Sequence, residues 1–120
     1  MIMEKEFVTY QQALRLKALG FDEPCFTYHH GGFLEFCLDG HNNVYERKNS
    51  SFMRSVSAPT FSQAFAWFRD KYNIHSSPRK YNETKWWVEW GTWTSPVFER
   101  FEEAESAWLD KLIELTFKSE

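Results

Sequence analysis

The chain has 120 residues, a net charge of −3, 42% hydrophobic and 26% charged residues. Such a length suits one domain, and such a balance excludes a disordered chain. It also argues against a general binder of nucleic acid or anionic membrane, which would need a basic surface. The unusual quantity is the aromatic share, 19%, from 12 Phe, 6 Trp and 5 Tyr.

Taken in order, Thr9-Tyr10-Gln11-Gln12-Ala13 reads as a capped helix start, because a threonine hydroxyl can accept from the N–H three residues on while the glutamine there reaches back. Its stripe is Tyr10, Ala13, Lys17 and Phe21 with Leu14 alongside, and Gly20 suits its C-terminal cap. Cys25–His30 and Phe33–Leu38 are β-type runs joined by Gly31-Gly32, a hairpin. Asp39-Gly40-His41-Asn42-Asn43 makes a second reversal into Val44-Tyr45-Glu46. The polar stretch from Arg47 carries a strand over Phe52–Val56.

A second helix starts at Thr60-Phe61-Ser62-Gln63-Ala64, with a stripe of Phe61, Ala64, Phe65, Phe68 and Tyr72 and a stop at Asn73. After Ser76-Ser77-Pro78, the runs Lys85–Trp90 and Trp93–Phe98 flank Gly91-Thr92 as another hairpin. A third helix begins near Arg100, its first turn acidic at Glu102, Glu103 and Glu105, its stripe Phe101, Ala104, Trp108, Leu112 and Leu115. The expected fold is a single α+β domain over residues 1–120, with an antiparallel sheet of about five short strands packed by three amphipathic helices. Phe61, Phe65, Phe68, Trp108, Leu112 and Leu115 are its expected centre.

The opening Phe7–Leu14 with Leu19-Gly20-Phe21-Asp22-Glu23-Pro24-Cys25-Phe26 resembles that of a small uncharacterised family of anaerobic gut bacteria and their phages. Ala58–Tyr72, and Phe101–Glu105 with Leu112-Ile113-Glu114, resemble the same pattern. The resemblance covers about half the chain and all three helices, and it implies a cytoplasmic phage or prophage accessory protein. It supplies no catalytic residue and no cofactor, and Arg100 departs from the small capping residue the pattern has there.

Met1–Glu6 has no apolar stretch of signal-peptide length, and the longest apolar run is Ala64–Phe68, so the expectation is a protein neither exported nor membrane-spanning. Two cysteines are too few for a disulfide framework and point to a reducing compartment. Cys25, His29, Cys37 and His41 have zinc-ligand chemistry in a C-x3-H-x7-C-x3-H spacing. On an extended strand, however, Cys25 and His29 stand about 13 Å apart at Cα, and only a local turn would bring them to one ion. A thiol enzyme would need Cys25 or Cys37 held against His29, His30 or His75. There is no nucleophile elbow, phosphate loop or paired-histidine helix, and no cofactor is expected.

The better candidates are the tryptophans. In Lys85-Trp86-Trp87-Val88-Glu89-Trp90, alternation puts Trp86, Val88 and Trp90 on one face and Lys85, Trp87 and Glu89 on the other. A one-sided sheet cannot bury all three tryptophans, so at least one stays near solvent. Trp87, Trp90, Trp93 and Trp67, with Lys85 and Arg79, form the expected surface for a protein partner. Residues 47–98 carry a net +5, with Arg47, Lys48, Arg54, Arg69, Lys71, Arg79, Lys80 and Lys85, so single-stranded nucleic acid is the alternative partner. The acidic third helix and this basic middle can also attract each other, within one chain or across a homodimer.

Overall fold

A computed structural model of the chain describes residues 4–49 and 55–119. The fold is mixed α+β, and the chain packs as two compact units, Met1–Gln63 and Ala64–Glu120. The described elements are a 3-10 turn at Glu4–Glu6, then α1 (Tyr10–Ala18), β1 (Thr27–His30), β2 (Phe33–Phe36), β3 (Val56–Ser57) and α2 (Phe61–Tyr72). They continue as β4 (Arg79–Lys80), β5 (Trp86–Trp87), β6 (Glu89–Trp90), β7 (Trp93–Thr94) and α3 (Phe101–Ser119). In place of one sheet of about five strands, the described residues form three small antiparallel sheets, ordered β2-β1-β3, β4-β5 and β6-β7. The cause is strand length, since most of these ladders stop after two residues at a turn, a proline or a break at Val88.

In the first unit α1 starts as expected. The Thr9 hydroxyl accepts from the Gln12 N–H at 3.2 Å, and the Thr9 N–H donates to the Gln12 side chain at 2.9 Å. It ends in a Schellman motif, with Gly20 at φ 94°, Gly20 N–H donating to the Lys17 carbonyl at 3.0 Å and Phe21 N–H to the Leu16 carbonyl at 2.9 Å. Leu16 and Phe21, the positions whose apolar contact accompanies such an ending, are both buried. The buried stripe of α1 differs from the expected one: it runs through Gln12, Ala13 and Leu16, while Tyr10 is exposed and Lys17 half-buried. Rotating the helix this way keeps the ammonium group out of the core.

Strands β1 and β2 are joined by Gly31 at φ 60° and Gly32 at φ 87°, a two-residue turn that only glycine enters cheaply at both positions. β3 pairs with the other edge of β1, and α1 packs against β3. The Thr27 hydroxyl donates to the Ala58 carbonyl, and Asn49 ties the Phe21 carbonyl to the Ser57 N–H. In the second reversal the Asp39 carboxylate accepts from the N–H groups of Asn43 and His41, which hold its carboxyl below the usual range. Val44–Glu46 is not a strand; single bridges join Val44 to Leu38 and Arg47 to Cys25. Of the expected strand Phe52–Val56, Val56 begins β3 and residues 52–54 lie outside the described residues.

Within the second unit, Asn73 ends α2 at φ 57°, its N–H bonded to the Arg69 carbonyl. α3 packs against β5 and is built around Ala104, Trp108, Leu109, Leu112 and Ile113, all buried. The Trp108 indole N–H finds the Ser76 carbonyl at 2.9 Å, which satisfies a polar group that burial would otherwise strand. Phe61, Phe65, Phe68, Trp108 and Leu112 are buried as expected, but Leu115 is half-buried and Phe101 exposed, so the α3 stripe is shorter than its periodicity suggested.

Because Gly20 occupies the left-handed region, Gly20→Ala is expected to destabilise the protein by about 1 kcal/mol, seen as a fall of about 3–5 °C in the midpoint of thermal unfolding. Circular dichroism on the two proteins checks it; an unchanged midpoint would show that the α1 ending does not limit stability.

Candidate functional site

The short strands of the second unit sort its aromatic and basic residues onto two faces. Register pairs Arg79 with Trp87 and Lys80 with Trp86, so alternation sends these two rows to opposite sides. Lys80, Trp86 and Phe98 share one side: Lys80 Nζ sits 5.4 Å from the Trp86 ring centre, and Trp86 and Phe98 exchange backbone hydrogen bonds of 2.8 Å. The Trp86 ring meets the Phe101 ring edge-to-face at 4.9 Å.

The other side carries Arg79, Tyr81, Lys85 and Trp87. Tyr81 bonds through its N–H to the Lys85 carbonyl at 2.9 Å, and its ring meets Trp87 edge-to-face at 5.0 Å. Lys85 Nζ lies 4.0 Å from a Glu99 carboxylate oxygen, an exposed pair that contributes little by itself. Tyr81 is 52% exposed, Arg79 exposed, and Trp87 half-buried. The turn that returns the chain from Tyr81 to Lys85 is set by Asn82, whose side-chain oxygen accepts from the Thr84 N–H at 2.9 Å.

Gly91, at φ 60°, turns the chain between Trp90 and Trp93. Trp90 is 39% exposed, which meets the expectation that one tryptophan stays near solvent. Trp93 is half-buried, stacked on Trp108 at 5.8 Å, with Lys111 Nζ 5.3 Å from its ring centre. Trp67, expected as a surface aromatic, is instead buried at 6% exposure: it packs against Phe68 and Tyr72, and Lys71 Nζ lies 5.0 Å from its ring centre. The buried arc of α2 includes Phe65, Trp67 and Phe68, so it is wider than the expected stripe. Thus Arg79, Lys85 and Trp87 come together with Tyr81, a residue the sequence reading passed over. Trp90 and Trp93 belong to the neighbouring ladder, and Trp67 to the interior.

The cysteine and histidine set lies in the first unit and does not converge. Cys25 Sγ approaches the Gln63 side-chain oxygen at 3.9 Å, Cys37 Sγ faces the Cys25 carbonyl at 3.8 Å, and His29 Nε2 is 2.9 Å from the Val8 carbonyl. His41 stands in the exposed Asp39 turn. Among the described residues no three His, Cys, Asp or Glu side chains gather as ligands of one metal ion. Burial, then the neighbouring Cys37, pushes the Cys25 thiol up to about 12, and burial raises Cys37 too. That direction is opposite to what a nucleophilic thiolate needs.

No protein-family model, curated protein or solved structure matches the chain. Among the described residues no helix is long and apolar enough to cross a membrane.

The buried thiols carry a prediction. Both cysteines are expected to resist iodoacetamide at pH 8 in the folded protein and to react fully in denaturant, read by mass spectrometry; fast native labelling would contradict it. Because the fold holds the Cys25 proton more tightly than the unfolded chain does, its contribution to stability is intact below about pH 9.0 and is lost as pH rises toward about 12.

Proposed function

We propose that the chain is a non-catalytic protein-interaction module whose contact face is Arg79, Tyr81, Lys85 and Trp87, with the exposed Trp90 of the β6–β7 ladder as a further contact. The observation that carries this reading is the β4–β5 register, which gathers two cationic and two aromatic side chains on one exposed side. Aromatic anchors flanked by arginine and lysine are the composition of interface hot spots, and they fit an acidic, apolar segment of a partner protein. In line with the resemblance of its helices, we place the protein in the cytoplasm as a phage or prophage accessory factor.

Single-stranded nucleic acid is the second reading, favoured by Arg79 standing directly across the ladder from Trp87. Two features weigh against it. Lys80 and Lys111 lie over the rings of Trp86 and Trp93, capping aromatic faces that bases would need for stacking, and Trp67 is buried. The Trp87 ring already engages Tyr81.

Affinity capture from a bacterial lysate, with and without nuclease, separates the readings. The expected result is a protein retained equally in both, and retained about 30-fold less by Tyr81→Ala or Arg79→Glu. Both positions are exposed, so the unfolding midpoint should move by no more than about 3 °C. Retention that vanishes with nuclease, together with a salt-dependent shift of a labelled oligonucleotide, would establish the second reading instead. Equal retention by wild type and variants would remove this face from either.

A further inference from the structure

Among the described residues strand β2 is an outer strand, paired along one edge only. The two-residue turn makes His30 and Phe33 a hydrogen-bonded pair, so alternation points the backbone groups of Phe33 and Glu35 toward β1 and those of Leu34 and Phe36 away from it. The Cys37 N–H, bonded to the Phe26 carbonyl at 2.8 Å, continues the same phase. Exposed edges are ordinarily blunted by lysine, proline or brevity, as β4 is by Arg79-Lys80. Phe33-Leu34-Glu35-Phe36 has none of these, and Phe33 is 70% exposed.

A depression of about 170 Å³ opens beside this edge, lined by Phe7, Val8, Thr9, His29, Gly32 and Leu34. That volume is of the order that holds one benzene ring, ~150 Å³. No atom lies within 4 Å of where a side chain on Gly32 would begin, so the space over this glycine is open.

Antiparallel pairing of β2 with a second copy of itself has four two-fold registers that match its outward backbone groups. Centred on Phe33, the ladder stops at Gly32, where the hairpin turns away, and Phe36 is left unpaired. Centred on Glu35, the register sets two carboxylates directly opposite each other, which is unfavourable. Centred on Phe36, it pairs Glu35 with the second copy's buried Cys37 and leaves the depression unfilled. Centred on Leu34, it makes the two Leu34 residues a hydrogen-bonded pair, sets Phe33 opposite the second copy's Glu35, and puts the second copy's Phe36 opposite Gly32. Leu34 and His29 share one face by register, as do Phe36 and Thr27, so that Phe36 ring would stand at the mouth of the depression. The ring is already held by stacking on Phe26 at 6.1 Å in its own chain.

We infer that β2 is the seam of a two-fold homodimer, paired in the register centred on Leu34, with each Phe36 seated over Gly32 of the other copy. This surface is distinct from the Arg79–Trp87 face, and the inference stands independently of it. Sedimentation equilibrium of the full chain over a concentration series, at low salt, tests the dimer. Phe33→Lys and Phe33→Glu test the register: both remove the same exposed ring, but lysine would face the second copy's Glu35 as an opposite charge and glutamate as a like charge.

The expected result is reversible dimerisation of the wild type, with Phe33→Lys dimerising about tenfold more tightly than Phe33→Glu. Circular dichroism should show both variants folded. A wild type that stays monomeric to its solubility limit overturns the dimer and leaves the edge to an extended segment of another protein. Lysine and glutamate variants that dimerise equally overturn the register.

Discussion

The aromatic and basic surface of the second unit follows from the alternation of side chains across very short antiparallel ladders. A ladder of two residues fixes little by its own hydrogen bonds, and an isolated hairpin is marginal in water. Rings and alkyl stems laid across it supply the rest. Trp86 lies between the Lys80 ammonium group and Phe101, Trp87 meets Tyr81, and Trp93 is stacked on Trp108. An aromatic pair adds about 0.5–1.5 kcal/mol beyond its buried area, so these few contacts matter in units with so little ladder. The high aromatic share is therefore a structural requirement before it is a functional one. Only the rings left over, Tyr81 and Trp90 among those of the short ladders of the second unit, are available to a partner.

The basic residues divide in the same way. Lys71, Lys80 and Lys111 are placed over rings, where a cation interacts with the electron-rich face at ~0.5–1 kcal/mol in an exposed setting. Arg47 does likewise over Tyr28, 4.6 Å from its ring centre, while its guanidinium donates to the Ser55 hydroxyl at 2.7 Å. Arg47, Lys71 and Lys80 belong to residues 47–98, so the net +5 of that stretch overstates the positive charge free to meet phosphate. Charge summed along a sequence says nothing of which ammonium groups are occupied by neighbouring rings, and that distinction favours a protein partner over nucleic acid.

Local chemistry was legible in the sequence; the division of residues among distant partners was not. The Thr9 capping box, the Gly20 and Asn73 helix ends, and the turns at Gly31-Gly32 and Gly91-Thr92 follow from backbone rules that act within a few residues. The sheet partition depends instead on non-local pairing. Arg79-Lys80 has no β signature, and without β4 the Asn82 turn gives no sign that it sets Tyr81 beside Trp87. The α2 stripe of Phe61, Ala64, Phe65, Phe68 and Tyr72 leaves Trp67 at the surface, whereas the buried arc widens to include it. The start of α2 shows the limit well. Thr60 accepts from the Gln63 N–H at 3.1 Å, as a capping threonine does, but the Gln63 side chain serves the Pro24 carbonyl and the Cys25 thiol, partners nearly forty residues away in sequence.

The two sheet edges show how the same backbone geometry can be closed or left open. At β4 the outward N–H and C=O belong to Lys80, between Arg79 and Tyr81, and a second strand approaching there would meet two cations on an edge two residues long. At β2 the outward groups belong to Leu34 and Phe36, on a strand of four residues whose one charge, Glu35, lies opposite an exposed ring in the register centred on Leu34. A two-fold axis through Leu34 sets leucine against leucine and the Phe36 ring against a glycine with open space above it, while Phe33 stands opposite Glu35. An edge that nature merely tolerated would need no such match between strand and depression, and the match is what separates a seam from an unprotected strand.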